Sequence, residues 1–304
     1  RPWSEIRAAL EAADLAPAVR AHALGIFGHL ADAEARVHGI AVEAVAFHEV
    51  GAADSIADIV AAAHLIAALG TRLPEAAARN NMPADRLVSM LNHDSTLWLD
   101  VCGLAFYVEE KAPAAGAAAP APAAPFPYSQ TFLLHSKPGA TKTIYLDFDG
   151  ATISSTYGSA WLSYNGGVSF YATPYDMDGS PTTWSTTEQN NIQDIWRRVA
   201  EDYAPFDVDV TTETPAAAAL ERASSSDNVY GTTALITNDG YVGGNCGCGG
   251  VAYVGVYDYT GSSHETYQPA WVVTKGVGYG SKYVAEATSH EVGHNLGLSH
   301  DGTS

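Results

Sequence analysis

The run His290-Glu291-Val292-Gly293-His294-Asn295-Leu296-Gly297-Leu298-Ser299-His300-Asp301 restricts what the chain can fold into more than any other stretch. Histidines four apart project from one face of a helix, one turn apart. There two neutral imidazole nitrogens can hold one Zn²⁺ at about 2 Å. The helix must then end sharply, because His300 reaches the same ion only if the chain doubles back. Gly297, lacking a Cβ, tolerates the positive φ of such a bend. Three histidines fill three tetrahedral positions and leave the fourth for water, the pattern of a catalytic rather than a structural site. Glu291 lies beside the first ligand and can face that water without binding the metal. It is therefore the expected general base and the later proton donor to a leaving amine.

The five-residue part of this pattern arises by chance in on the order of one chain in a hundred. The added Gly and third His at fixed offsets lower that by roughly a thousandfold. The chain carries its own control: His48-Glu49-Val50-Gly51 repeats four letters, but Ala52 stands where the second ligand would be. That copy cannot form the same site.

Composition divides the chain into three texts. Residues 1–70 are Ala-rich and predict helices around Ile6 and Leu10, from Asp14-Pro17 to about Val37, and from a cap at Asp54 to Gly70. Residues 71–111 predict a short helix at Asp85–Leu91 and two strands, Leu97–Leu99 and Leu104–Val108. Residues 112–127, nearly all Ala and Pro, read as a linker. From Tyr128 the text predicts strands at Lys142–Phe148, Asp207–Thr212, Thr232–Ile236, Val251–Val256 and Ala270–Thr274. Helices are expected at Glu188–Tyr203 and Lys282–Leu296, giving an α/β layer in which the second helix carries the site.

The length of 304 residues allows two ordinary domains. A formal net charge of −19 argues against nucleic acid or an anionic membrane as a partner. No apolar run is long enough to span a bilayer. The opening at Arg1, without Met or a charged-then-apolar leader, is read as the front of a fragment.

His290 to Asp301 resembles the metzincin consensus, and His-Asn-Leu-Gly followed by His-Asp is most similar to its reprolysin-like branch. The resemblance extends over about residues 76–304. Its weaker blocks are Thr143-Ile144-Tyr145-Leu146-Asp147-Phe148-Asp149-Gly150 and Asn245-Cys246-Gly247-Cys248-Gly249-Gly250. It implies a zinc endopeptidase of the secreted bacterial type, acting on protein or peptide substrates, with His290, His294 and His300 as metal ligands. Glu291 would be the catalytic acid/base and Asp301 a structural acid. The implied fold is an α/β (α+β) catalytic domain with a mixed sheet and an active-site helix. A short α+β pro-region (71–111) and the linker (112–127) would precede it. The family's methionine-containing turn is expected downstream of Ser304, since all three Met lie upstream.

The segment Phe47-His48-Glu49-Val50-Gly51-Ala52-Ala53-Asp54-Ser55-Ile56-Ala57-Asp58-Ile59-Val60, with Ala33-Glu34-Ala35-Arg36-Val37-His38-Gly39 before it, resembles the LarC family over about residues 1–70. That family inserts nickel into a sulfur-bearing pyridinium nucleotide with CTP. His48, Glu49, Asp54 and Asp58 are the polar residues the resemblance singles out; the plainer reading is a helix cap and a buried loop histidine. A cytosolic nickel enzyme joined to a secreted protease near Gly70-Thr71 implies a fused, truncated or misassembled frame.

Among lesser candidates, Cys246-Gly247-Cys248 reads mainly as a glycine-rich wall loop, a metal or redox pair or a short disulfide being less favoured by the spacing. Cys102 is a candidate latency thiolate but more simply an incidental turn residue. Asp147 and Asp149 are candidates for a structural Ca²⁺, against a solvated strand end. Three readings follow: a zinc endopeptidase, a nickel-insertion protein (with Ni²⁺) carrying an inert tail, and a non-catalytic truncated fusion.

Overall fold

The computed structural model describes residues 1–47, 53–111, 120–238 and 247–300, without the side chains of Ala53, Asp54, Leu65 and Thr71. It divides into two compact units, Arg1–Leu104 and Ala105–Gly302.

The first unit opens with helices α1 (Trp3–Ala12), α2 (Pro17–His38) and α3 (Ala53–Leu69). Pro17 begins α2, and Gly39, at φ 63°, ends it in the left-handed conformation. Ile6, Leu10, Phe27 and Ala31 recur at helical spacing and are fully buried with Trp3 and Phe47. Helix α3 is described from Ala53; the side chain of Asp54, the expected cap, lies outside the described residues. A helix not foreseen in the sequence, α4 (Leu73–Arg79), follows, then α5 (Ala84–His93) and strand β1 (Leu97–Leu99). Pro74 in the first turn of α4 is a helix start that its Ala-rich surroundings obscured. No single helix among the described residues is long and apolar enough to cross a membrane.

The second unit is mixed α/β. Its elements are β2 (Ala105–Glu109), β3 (Lys142–Asp147), β4 (Ala151–Ile153), β5 (Phe170–Ala172), α6 (Thr186–Asp202), β6 (Asp209–Thr211), α7 (Ala217–Leu220), β7 (Tyr230–Thr237), β8 (Gly250–Tyr253), α8 (Ser262–Thr266), β9 (Ala270–Val273), α9 (Thr274–Val277) and α10 (Ser281–Asn295). Within this unit the sheet runs β2-β8-β9-β7-β3-β6. Strands β9, β7, β3 and β6 are parallel; β8 and β2 are antiparallel to their neighbours. The parallel strands are buried on both faces, as their apolar runs require.

Helices α6 and α10 cover one face. Ile192, Ile195 and Val199 of α6 and Val284 and Val292 of α10 are fully buried against Ile144, Val210, Ile236 and Val272. Each such side chain contributes about 1.5–3 kcal/mol by leaving water. Ser185 and Glu188 start α6 with a capping box. The two helices are joined at Asp194, which accepts from Arg197, Arg198 and, on α10, Ser281 Oγ at 2.6 Å. Burial opposes ionisation of Asp194, but these donors outweigh it and hold the carboxyl below its ordinary range. Residues 120–127 form no regular element, yet Ala124 and Phe126 donate backbone N–H groups to Asn190 and Gln193 of α6.

Candidate metal centre

Three features of α10 place the histidines. Its last turns lie against β8, where Asn295 Nδ2 donates to the Tyr253 carbonyl at 2.9 Å and its Oδ1 accepts from Thr232. The helix stops in a Schellman turn: Gly297 N–H donates to the His294 carbonyl and Leu298 N–H to that of Gly293. Gly297 sits at φ 95°, the left-handed bend expected of it. The chain then doubles back and brings His300 to the helix face that carries His290 and His294.

The Nε2 atoms of His290 and His300 lie 3.1 Å apart, and those of His290 and His294 3.0 Å. His294 Nδ1 is 2.8 Å from the Leu298 carbonyl oxygen. That acceptor fixes the proton on Nδ1 and leaves the Nε2 lone pair facing the cluster, as a metal-ligating imidazole requires. Burial also pushes the His294 pKa down, favouring the neutral ring.

A fourth donor joins them. Glu109, the last residue of β2, places Oε1 at 3.2 Å from His290 Nε2, 3.7 Å from His294 Nε2 and 3.0 Å from His300 Nε2. The four ligand atoms all lie within 4.8 Å of one another. A regular tetrahedron with edges of about 3.2 Å has its centre roughly 2.0 Å from each corner, the length of zinc–nitrogen and zinc–carboxylate bonds. Glu109 Oε1 is buried and takes no well-aligned hydrogen bond, although three nitrogens face it. Atoms directed at a common centre rather than at one another behave in this way. The donor set therefore fits zinc. Burial opposes ionisation of Glu109, but the facing rings of His290 and His294 outweigh it and hold the carboxyl well below its ordinary range. The histidine spacing alone leaves the fourth position to water; Glu109 Oε1 faces that position instead.

Glu291 is fully buried, and neither carboxylate oxygen has a hydrogen-bond partner. Burial, with the Glu109 charge adding to it, pushes its pKa well above the ordinary carboxylate value. Its place depends on Gly250 in β8, where a Cβ would collide with Glu291 Oε1. Beside His290 and Glu291 opens a cleft of about 300 Å³, walled in part by Val277, Tyr283 and Ala287.

The other expected residues fall elsewhere. Asp301, His48, Glu49 and Cys246 lie outside the described residues; Asp58 is exposed on α3. Cys248 is disulfide-bonded, so the simple wall-loop reading of that segment is corrected. Cys102 is free and exposed, and the donor cluster contains no sulfur. Among the described residues Asp147 and Asp149 gather no third donor; burial pushes Asp147 up to about 7. Glu109 and Gly250 were missed by sequence reasoning. Glu109 stands before Glu110-Lys111 with nothing to mark it, and Gly250 belongs to a glycine run whose members look alike.

Residues 182–301 match the family model of the reprolysin-like metallopeptidases, family M12B. That span contains His290, Glu291, His294 and His300 but not Glu109. Residues 1–80 match the model of the nickel insertion proteins. Over 59 residues the chain is 56 % identical to the pyridinium-3,5-bisthiocarboxylic acid mononucleotide nickel insertion protein of Nocardioides sp., covering 19 % of this chain and 15 % of that protein. Proteins named as nickel insertion proteins in Synechococcus sp. (strain JA-3-3Ab) and Geobacter sulfurreducens are 55 % and 51 % identical over 60 and 70 residues. Those stretches are 20 % and 23 % of this chain. The chain spans only 15–18 % of the length of these relatives. No solved structure matches it. The chain thus combines a region similar to reprolysin-like metallopeptidases with a shorter one similar to nickel insertion proteins.

Proposed function

We propose that the unit built around α10 is a zinc-dependent endopeptidase with a metzincin layout, cleaving proteins or peptides outside the cell. The supporting observation is the convergence of three imidazole nitrogens, with His290 Nε2 3.0 Å from that of His294 and 3.1 Å from that of His300, beside a buried carboxylate with no hydrogen-bond partner. His290, His294 and His300 would hold the ion. Bound there, zinc supplies a Lewis acid that polarises a carbonyl and acidifies water. Glu291 accepts a proton from the attacking water at a carboxylate oxygen and delivers it to the leaving amine nitrogen. Its seat against Gly250 fixes that carboxylate before substrate arrives, so little reorganisation is needed during the reaction. The cleft walled by Val277, Tyr283 and Ala287 receives an apolar substrate side chain. Residues 71–111 act as the pro-region and 112–127 as the linker. A net charge of −19 argues against nucleic acid and anionic membranes as partners.

Metal analysis tests this reading. One zinc per chain, lost in His294→Ala, supports it; zinc that stays in that variant refutes it. Any casein cleavage must stop with a chelator and in Glu291→Ala.

A second reading is favoured by the match over residues 1–80. On it, this segment serves nickel insertion into a pyridinium nucleotide with CTP, in the cytoplasm. Nickel retained by the chain in the presence of CTP, and lost without the first eighty residues' polar groups His48 and Glu49, is the expected result. A chain that holds neither metal is the inert fusion.

A further inference from the structure

Helix α10 ends on Asn295, which is fully buried. An asparagine in a helix competes with the backbone for hydrogen bonds, yet here its amide is committed on both sides. Nδ2 donates to the Tyr253 carbonyl, at the end of β8, at 2.9 Å, and Oδ1 accepts from Thr232 Oγ1, in β7, at 2.7 Å. Thr232 is buried in turn, with its hydroxyl 2.9 Å from Gln268 Oε1, which accepts the Thr233 N–H. The backbone of the same turn is held as well. Carbonyl groups in the last turn of a helix lack partners within it. Gly255 N–H donates to that of His294 at 2.9 Å, and Tyr257 N–H to that of Asn295 at 3.0 Å. Gly255, at φ 69°, lets the two chains approach: a Cβ there would stand 3.9 Å from Gly297 Cα.

We propose that Asn295 is a positioning residue of the metal centre: held by Tyr253 and Thr232, it fixes the last turn of α10 and so sets where the rings of His294 and His300 stand. This deepens the peptidase reading and rests on its metal site. Successive side chains leave a helix about 100° apart, so Asn295 turns to the sheet while its neighbour His294 turns to the donor cluster. Rotating or fraying that turn swings His294 Nε2 off the common centre. His300 depends on it further, because it reaches the cluster only through the bend that starts there, with Gly297 N–H on the His294 carbonyl. His290 stands one turn earlier, where Val292 and Val284 seat the helix in the core, and needs less support. Ligand atoms serve a metal only when held to within about 0.5 Å. Both polar atoms of the Asn295 amide are spent on Tyr253 and Thr232, so it acts through the histidines and not on the ion.

The test uses the full chain, with Zn²⁺ affinity measured by competition against a chromophoric chelator and visible absorption recorded after Co²⁺ loading. Asn295→Ala and Thr232→Val should bind zinc about tenfold or more weaker than wild type. Their Co²⁺ bands, which report ligand geometry, should move. Thr232→Ser, which retains the hydroxyl, should match wild type in both. Thr232→Val keeps the side-chain shape and decides the question if Asn295→Ala does not fold. Ser185→Ala weakens the chain through the cap of α6 and should leave affinity and bands unchanged. Wild-type affinity and bands in both Asn295→Ala and Thr232→Val overturn the inference and leave the peptidase reading standing. So does a loss in Ser185→Ala as large as theirs, which traces the effect to stability alone. Weakened binding in those two variants, in a chain whose wild type cleaves no casein, upholds the positioning role and counts against the peptidase reading. A wild type that takes up neither ion defeats both.

Discussion

Glu291 is buried with both carboxylate oxygens lacking a hydrogen-bond partner, whereas Asp194 and Glu188, equally enclosed, are satisfied by arginine, serine and backbone donors. An uncompensated buried carboxylate costs stability and is retained where it acts. Replacing Glu291 by Gln should therefore lower casein cleavage by a factor of about 10²–10⁴. Zinc content should not change, because Glu291 is not among the clustered donors. Gly250→Ala should have a similar outcome through position alone, since its Cβ would displace the Glu291 carboxylate; the check is cleavage rate against metal content in the same preparation. His290 and His294 were legible because their spacing along a helix fixes a shared face, and His300 and Glu291 because Gly297 marks the bend after that helix and Glu291 adjoins the first ligand. Glu109 was not, because its partners lie about 180 residues away and only the pairing of β2 with β8 brings it to them.

Helix α6 shows how element-level chemistry sets the site. Its capping box, Ser185 with Glu188, satisfies two backbone donors, and Ser185→Ala should lower unfolding stability by about 1 kcal/mol in urea titrations. Asp194 ties α6 to α10 through Ser281. Its carboxyl is depressed in the folded state, so its stabilisation is present above the unfolded-state pKa and fades as pH falls through the folded-state one. The stability gap between wild type and Asp194→Asn should thus be full above about pH 4 and narrow below it; a gap that widens toward acid would contradict the assignment. The main strands and α6 could be read from apolar patterning, and α10 from the four-residue spacing of His290 and His294. The hairpin β4–β5 and the short helices α7, α8 and α9 could not, as elements of three to five residues hold too few periods to register. The Ser185-Thr186-Thr187-Glu188 signature sets the start of α6, ahead of the Glu188 start that the apolar face alone predicts.

At the scale of the whole molecule, two units each bury their own core. Calorimetry should accordingly resolve two unfolding transitions, with zinc raising only that of the Ala105–Gly302 unit; a single transition raised as a whole would refute their independence. Composition predicts divisions near residues 70, 111 and 127, where Ala-rich helical text gives way to Thr-, Ser- and Tyr-rich strand text, whereas the two units divide between Leu104 and Ala105. That boundary was harder to read, because β2 is text of the segment expected as pro-region and yet packs in the sheet of the metal-bearing unit. All of the chemistry rests on three imidazoles sharing one ion. Elemental analysis of the purified chain measures that directly: wild type should carry close to one zinc per chain and His290→Ala, His294→Ala and His300→Ala markedly less. Equal zinc in all four, or none in wild type after exposure to excess metal, would contradict it.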